Sequence, residues 1–210
     1  MTGELRVDKV VTSGTFSLDG GTWEVENNVW IVGDDDECVV IDAAHDGSPI
    51  VEAVAGRRVL AVLLTHGHDD HIGAVGALFE ATRGPSYLHP GDRMLWDRVH
   101  PAAPDHQLVD GDVITVAGTQ LHVLHTPGHA PGACSFHVPA LGVVFTGDTL
   151  FNGGPGATGR SFSDFPTIVE SIRVKLLTLL PETVVHTGHG ADTTIGAEAP
   201  HLQDWLDRGP

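Results

Sequence analysis

The chain has 210 residues, of which 41% are hydrophobic, and a formal net charge of −17 from 11 basic and 28 acidic side chains. This acidic balance repels phosphate backbones, so we expect no nucleic-acid partner. No apolar run approaches the roughly 20 residues that a membrane-spanning helix requires, so we expect no membrane partner either.

Length and hydrophobic content predict a single domain over residues 1–210, built from two similar halves of roughly 1–105 and 106–210. Two cysteines, Cys38 and Cys134, lie in apolar stretches and are predicted to be buried free thiols. This cysteine usage, with no signal-peptide pattern near Met1, favours a cytoplasmic protein. The sequence does not decide between a monomer and a homodimer.

The first half alternates strands with helices. Apolar and β-branched runs predict strands at 5–11, 22–32, 38–42, 59–64 and 86–89. A helix over 48–55 is predicted to begin with Ser48 as N-cap and Pro49 in its first position. Two more helices are predicted over 72–79 and 91–99, and the acidic run 33–37 is predicted to be a solvated turn.

The second half predicts a run of strands closed by helices. Its strands are predicted at 112–116, 119–124, 134–138, 142–146 and 183–186. A glycine-rich loop covers 152–160, and helices are predicted over 167–180 and 198–206. Strands followed by helices, twice over, predict an α+β layered sandwich in which two packed sheets lie between outer helices.

The stretch Thr-His-Gly-His-Asp-Asp-His at 65–71 follows the buried strand 59–64 and brings three imidazoles and two carboxylates together. Such ligands suit zinc, iron and manganese. On extended backbone His66 and His68 can point into one cavity, while Asp70 and His71 turn away toward a second ion. A solvated histidine- and aspartate-rich loop is the alternative interpretation.

Three later segments also place a histidine or an aspartate, next to glycine, just beyond an apolar strand. They contain His129, Asp148 and His189. Loops beyond strand ends converge over one edge of the scaffold, and glycine permits the tight turns this requires. Each segment alone is a weak signal, but together with the first motif they indicate a metal site.

This set of motifs resembles the metallo-β-lactamase superfamily from residue 27 through 189. The matching elements are Val39-Val40-Ile41-Asp42, the His66-x-His68-x-Asp70-His71 motif, Thr126-Pro127-Gly128-His129, Thr146-Gly147-Asp148-Thr149-Leu150-Phe151 and Thr187-Gly188-His189-Gly190. The resemblance implies a four-layer αββα sandwich, with two mixed β-sheets flanked by helices. It also implies a ligand set: His66, His68 and His129 for one metal, Asp70, His71 and His189 for a second, and Asp148 bridging both. Asp42 would support the site from behind.

Within that superfamily, the segments 147–151 and 159–166 look most like those of glyoxalase II-type enzymes. This implies a hydrolase of a small thioester, an S-acyl conjugate of a low-molecular-weight thiol. It would use two divalent ions, with zinc favoured over iron or manganese, and a hydroxide shared between them as nucleophile. Asp70 would orient that nucleophile.

Two further residues are candidate substrate contacts. Arg160 resembles an arginine of glyoxalase II-like proteins and can clamp a carboxylate, the alternative being a structural ion pair with Asp164. His45 lies on a loop after Asp42 that can reach the site, the alternative being a surface position.

Other functions are weighed against thioester hydrolysis. A persulfide dioxygenase on the same fold would use a single iron with two histidines and one carboxylate, which the full ligand set disfavours. Lactone hydrolysis ranks next, and β-lactam hydrolysis below it. A non-catalytic module would have lost ligands, and none is missing here.

Overall fold

The computed structural model describes residues 3–210, and its first sheet is built from strands of alternating or continuous apolar character. In spatial order the strands are β1 (Arg6–Leu18), β2 (Gly21–Gly33), β3 (Glu37–Ile41), β4 (Arg58–Leu63), β5 (Ser86–Leu88) and β6 (His106–Gln107). β1, β2 and β3 pair antiparallel, whereas β3 to β6 pair parallel. The sheet is therefore mixed, and its parallel strands β3 and β4 end at the same edge.

The second sheet comes mostly from the meander of the second half. The remaining strands are β7 (Val113–Val116), β8 (Thr119–His125), β9 (Cys134–Val138), β10 (Val143–Gly147), β11 (Leu150–Phe151), β12 (Gly154–Pro155), β13 (Val184–Thr187) and β14 (Thr193–Thr194). The sheet has the order β14-β13-β10-β9-β8-β7, with β10 and β13 parallel and the other pairs antiparallel. β11 and β12 form a separate short hairpin.

Helices cover the outer faces of both sheets. They are α1 (Gly47–Val54), α2 (Asp69–Ile72), α3 (Val75–Thr82), α4 (Arg93–Trp96), α5 (Phe165–Ser171), α6 (Ile195–Glu198) and α7 (Leu202–Arg208). Successive residues of a strand point to opposite faces, so Ile31 packs toward the helices while Trp30 packs between the sheets. A third cluster joins Val144 to Ile168 and Trp205 outside the second sheet. These layers confirm the predicted αββα sandwich.

Helix boundaries differ from the prediction where two local signals compete. Asp46, not Ser48, caps α1, because its carboxylate accepts the Ser48 N–H at 2.9 Å. The helix predicted over 72–79 is two helices, α2 and α3, with a break at Gly73 and Ala74. Asp70 and His71 therefore lie within a helical turn and not on a loop before it.

Further differences concern the second half and the first strand. β1 runs to Leu18, well beyond the predicted end at residue 11. The predicted helix 167–180 is α5 followed by a wider turn over Ile172–Leu176, and Leu180 is exposed. The closing helix is interrupted by a tight turn over Ala199–His201, where Pro200 lacks the N–H that a continuous helix needs.

Cys38 and Cys134 are buried and free, as predicted. The first sheet ends with β6 at Gln107. The division of one domain into halves of 1–105 and 106–210 stays a prediction. Among residues 3–210, none of the helices is both long and apolar enough to cross a membrane.

Candidate metal centre

The seven predicted ligands lie together at the sheet edge where β3, β4, β10 and β13 end. Three groups of donor atoms each fall within 4.8 Å of one another: His66, His68 and His129; His66, His71 and Asp148; and Asp70, His71 and His189. The chain delivers them from four separate segments, after β4, after β8, after β10 and after β13. The assignment of these residues as metal ligands stays a prediction.

The first group consists of three imidazole nitrogens that face one point. Nδ1 of His68 lies 3.0 Å from Nε2 of His66 and 3.1 Å from Nε2 of His129. Nitrogen ligands at about 2.1 Å from a tetrahedral ion lie about 3.4 Å from one another. The spacing thus fits three ligands of one ion with only a slight expansion.

Asp148, a member of the second group, faces imidazoles of all three groups with its two oxygens. Oδ1 lies 3.4 Å from Nε2 of His71, and Oδ2 lies 3.6 Å from Nε2 of His129 and 3.4 Å from Nε2 of His189. Oδ1 is buried without a hydrogen-bond partner. In the third group, Oδ2 of Asp70 lies 3.4 Å from Nε2 of His189. This arrangement fits a carboxylate shared by two cations, because a buried unpartnered oxygen is costly without one.

Asp42 and Thr65 hold the Nδ1 atoms of His71 and His66, on the side of each ring that faces away from the site. Asp42 accepts a hydrogen bond from Nδ1 of His71 at 2.8 Å. The hydroxyl of Thr65 donates to Asp42 at 2.9 Å, so its oxygen is free to accept from Nδ1 of His66 at 3.1 Å. In both rings Nδ1 must carry the hydrogen, which leaves the Nε2 lone pair facing the site.

Backbone carbonyls hold two more rings in the same tautomer. Nδ1 of His129 donates to the carbonyl of Ala157 at 2.8 Å. Nδ1 of His189 donates to the carbonyl of Glu26 at 2.6 Å. Four of the five histidines thus point Nε2 toward the centre, and imidazole binds metal through this nitrogen once it carries no proton.

The electrostatics of the cluster call for cations. Burial lowers the pKa of His68 to about 3, so this ring is neutral at physiological pH. Burial opposes ionisation of Asp70, but His71 and His189 outweigh it and lower its pKa to about 2. Burial likewise opposes the charged form of His189, yet Asp148 and Asp70 raise its pKa to about 10. Without metal, protons on imidazoles balance the carboxylates, and bound cations would displace them.

A cavity of about 360 Å³ opens above these donors. Its lining residues are Phe16, Val25, Glu26, His68, Asp70, His129, Asp148, Ala157, Arg160 and His189. Arg160 lines this cavity, and its contact with substrate stays a prediction. His45 is absent from this lining, and its Nε2 instead lies 2.7 Å from Oδ1 of Asn27. A direct contact of His45 with substrate stays a prediction. In the structure His45 contacts Asn27, which in turn contacts Asp70.

Sequence reasoning missed two residues that hold the ligands. Asn27 donates to Oδ2 of Asp70 at 3.0 Å, and its only signal is a pair of uncharged polar residues just before the apolar run 29–32. Asp92 is fully buried and accepts the N–H groups of Gly67 at 2.9 Å and Gly132 at 2.5 Å. Nothing in the sequence near Asp92 indicates this contact, because both partners are distant along the chain.

Comparison with known proteins identifies the family. The family model described as the metallo-beta-lactamase superfamily matches residues 22–189. The chain belongs to the metallo-beta-lactamase superfamily. The resemblance drawn from the motifs is thereby confirmed, and the superfamily fold agrees with the two mixed sheets and their flanking helices.

Relatives within the superfamily point to hydrolases and to metal. The hydroxyacylglutathione hydrolase GloC of Haemophilus influenzae is 31% identical over 190 residues, which cover 82% of this chain and 90% of GloC. The crystal structure of the BLEG-1 B3 metallo-beta-lactamase matches with a TM-score of 0.78 and 32% identity, over 91% of this chain and 98% of that one. The structure of TTHA1623 in a di-iron-bound form matches with a TM-score of 0.72 and 37% identity, over 83% and 93%. This superfamily member is accordingly a metallo-hydrolase.

Proposed function

We propose that this metallo-hydrolase cleaves small thioesters, S-acyl conjugates of a low-molecular-weight thiol, with two divalent ions per chain. The observation that carries the proposal is the set of seven inward-facing donors beneath a cavity of about 360 Å³. The similarity to GloC supports a thioester as the substrate, and the di-iron form of TTHA1623 supports a dinuclear site. Zinc is our first expectation for the metal, with iron or manganese as alternatives.

The residues present fit two cations. His66, His68 and His129 would hold one, and Asp70, His71 and His189 the other, with Asp148 shared. Such ions supply a water nucleophile of lowered pKa and a Lewis acid for the thioester carbonyl. The protein contributes donors whose orientation is fixed in advance, as Asp42 fixes the ring of His71, which avoids reorganisation during the reaction.

Asp70 is the proposed catalytic residue. Its low pKa keeps it ionised, so it only accepts hydrogen bonds and can orient a water molecule beside the scissile carbonyl. Oδ2 is held by Asn27 at 3.0 Å, which fixes the direction in which the carboxylate points. Neither cysteine competes as a nucleophile. Both are buried, and burial raises the pKa of Cys38 to about 11 and that of Cys134 further still.

The decisive experiment combines metal analysis with a substrate panel on the same purified sample. We expect about two metal ions per chain and hydrolysis of S-lactoyl, S-formyl or S-acetyl thiols. The panel also contains a lactone, a chromogenic cephalosporin and a thiol persulfide with oxygen consumption as its readout. Activity on one of these in place of thioesters, or inertness of the metal-loaded protein toward every thioester, would refute the proposal.

Variants separate the site from the rest of the chain. His68→Ala and Asp148→Ala should each lose metal and lower kcat/KM by at least about a thousandfold, because each removes a predicted metal ligand. His122→Ala is the matched control, since His122 lies on β8 opposite His137, away from the cavity lining. Unchanged turnover in either ligand variant would refute the site assignment.

A further inference from the structure

Arg160 is held at the cavity by the aromatic side chains of the β1–β2 hairpin. Its guanidinium carbon lies 4.0 Å from the ring centroid of Trp23 and 5.4 Å from that of Phe16. The two rings stack on each other at 5.7 Å, and Phe16 in turn contacts the ring of His68 at 5.0 Å. A continuous series of ring contacts thus runs from a predicted metal ligand to the guanidinium.

The backbone around Arg160 is also fixed to that hairpin. Asp19, at the hairpin turn, accepts the N–H of Ser161 at 2.9 Å. The hydroxyl oxygen of Ser163 accepts the N–H groups of Gly159 and Arg160 and donates to the Arg160 carbonyl at 2.7 Å. The position of Arg160 is therefore determined from both the backbone and the side chain.

The guanidinium held in this way has no acceptor for its N–H groups within residues 3–210. The alternative of an ion pair with Asp164 does not occur, because Asp164 caps α5 by accepting the N–H of Thr167 at 2.9 Å. A guanidinium stacked on an aromatic face keeps its in-plane N–H groups available for a carboxylate. Nε2 of His68, on the same cavity wall, is also buried without a partner.

The remaining charges of the cavity rim limit what can bind there. Glu26 lines the same cavity, and Glu24 and Glu26 line an adjoining groove of about 470 Å³. Among the cavity-lining residues, Arg160 alone carries a permanent positive charge. Away from the proposed metal ions, Arg160 can therefore match one carboxylate, whereas a second anionic group at the rim would meet the glutamates.

We propose that Trp23 positions Arg160 to bind a single carboxylate of the substrate, so that the enzyme selects thioesters with one carboxylate close to the thioester group. The inference rests on the proposed thioesterase function and names the substrate class of the same site. Trp23 acts through Arg160 and is a positioning residue. Polyanionic thiols are disfavoured by the same arrangement.

Matched substrate pairs test the carboxylate and locate it. The first pair is S-acetyl-3-mercaptopropionate and its methyl ester, with the carboxylate in the thiol half. The second is S-methyl thiosuccinate and its methyl ester, with the carboxylate in the acyl half. For the pair that matches the true substrate, we expect kcat/KM to be about tenfold higher for the acid, mainly through KM, since a stacked arginine forms a bidentate pair. No preference in either pair would overturn the proposal.

Variants test the role of Trp23. Arg160→Gln should abolish the preference, Trp23→Ala should lower it to about twofold or less, and Trp23→Phe should restore most of it, with unchanged metal content in each. Phe79→Ala is the matched control, because the ring of Phe79 on α3 also faces a guanidinium, that of Arg83 just beyond the helix, at 5.5 Å. A full preference in Trp23→Ala would overturn the positioning role.

Binding separates this inference from the proposed function. The hydrolysis-resistant thioether 3-(propylthio)propanoate and its methyl ester can be titrated into the metal-loaded protein by calorimetry. Tighter binding of the acid in wild type, lost in Arg160→Gln and weakened in Trp23→Ala, supports the carboxylate site even if every thioester is inert. Equal binding of the acid to wild type and Arg160→Gln would show that the metals, and not Arg160, take the carboxylate.

Discussion

The carboxylate of Asp42 lies 2.8 Å from Nδ1 of His71 and holds this ring so that Nε2 faces Asp148. Asp42 also accepts the N–H of Thr65 at 2.8 Å and its hydroxyl at 2.9 Å. Its backbone has a left-handed φ of 61°, a conformation that aspartate and asparagine tolerate better than most residues. One side chain at the end of β3 thus aligns the segment that carries the histidine motif.

We predict that Asp42→Asn lowers the affinity of the second metal about 10- to 100-fold while the protein still folds. Asparagine tolerates the backbone conformation but replaces one acceptor oxygen with a donor, so the three hydrogen bonds cannot all form. Competition with a chromophoric chelator measures the affinity. Asp34→Asn is the control, since Asp34 also accepts two backbone N–H groups but in the turn before β3. Equal metal affinities in the two variants would contradict this role of Asp42.

The link from His45 through Asn27 to Asp70 has a defined direction. Ionised Asp70 only accepts, so the amide nitrogen of Asn27 faces it and the amide oxygen faces His45. Nε2 of His45 must therefore carry the hydrogen, and burial lowers the pKa of His45, which favours this neutral form.

We predict that Asn27→Ala lowers kcat about tenfold with little change in KM, because it frees Asp70 to rotate. Asn27→Asp should be worse, since a second carboxylate beside Asp70 repels it. Steady-state kinetics and metal analysis measure both effects. Asn152→Ala is the control, as its amide also donates at 3.2 Å but on the surface, to the carbonyl of Asp192. Wild-type kcat in Asn27→Asp would rule out the orienting role.

The sequence predicts which residues the fold brings together at this site, because the decisive signals are local. His66, His68, Asp70 and His71 are nearly consecutive, and each later ligand follows an apolar strand beside a glycine. Apolar runs likewise predict the longer strands of both sheets, but not the two-residue strands β6 and β14. These features depend on a few neighbouring residues, and the fold then brings the strand ends together.

The supporting contacts could not be predicted because they join residues that are far apart in the chain. Asn27 and Asp70 are separated by 43 positions, and Asp92 and Gly132 by 40. The N-cap of α1 shows a local version of the same limit. Asp46 and Ser48 are both good caps, and only the path of the chain before the helix decides between them.

Asp92 predicts a specific pH dependence of stability. Burial raises its pKa from the ordinary 3.8 to about 6, although the N–H groups of Gly132 and Gly67 act in the opposite direction. Because the folded-state pKa is the higher one, this carboxyl stabilises the fold fully below about pH 4, and the contribution is lost as the pH rises through 6.

We therefore expect the free energy of unfolding of wild type, relative to Asp92→Asn, to fall by about 2 kcal/mol between pH 4 and pH 6. Urea unfolding of the metal-free proteins in chelator measures the difference. Asp97→Asn serves as the control, since Asp97 is an exposed carboxylate paired with Arg93. A difference that grows with pH would show that the buried carboxyl is instead stabilised in its ionised form.

The backbone at Gly188 passes so close to the predicted metal ligands that a side chain there has no room. A Cβ at this position would lie 2.3 Å from Oδ1 of Asp148 and 2.9 Å from Cε1 of His71. Asp148 can yield by rotating its carboxylate, so we expect Gly188→Ala to fold but to lose metal and activity, with a stability cost of about 1–3 kcal/mol. Metal analysis and urea unfolding separate the two effects.

Gly76→Ala is the matched control for the same substitution. Gly76 lies within α3, and a Cβ there meets nothing within 4 Å. Alanine has the higher helix propensity, so this variant should gain about 0.5–1 kcal/mol in the free energy of unfolding and keep its metal and its kcat. Full metal content in Gly188→Ala would mean that the carboxylate of Asp148 can leave its present position without loss of the site, which would count against its role as the shared ligand.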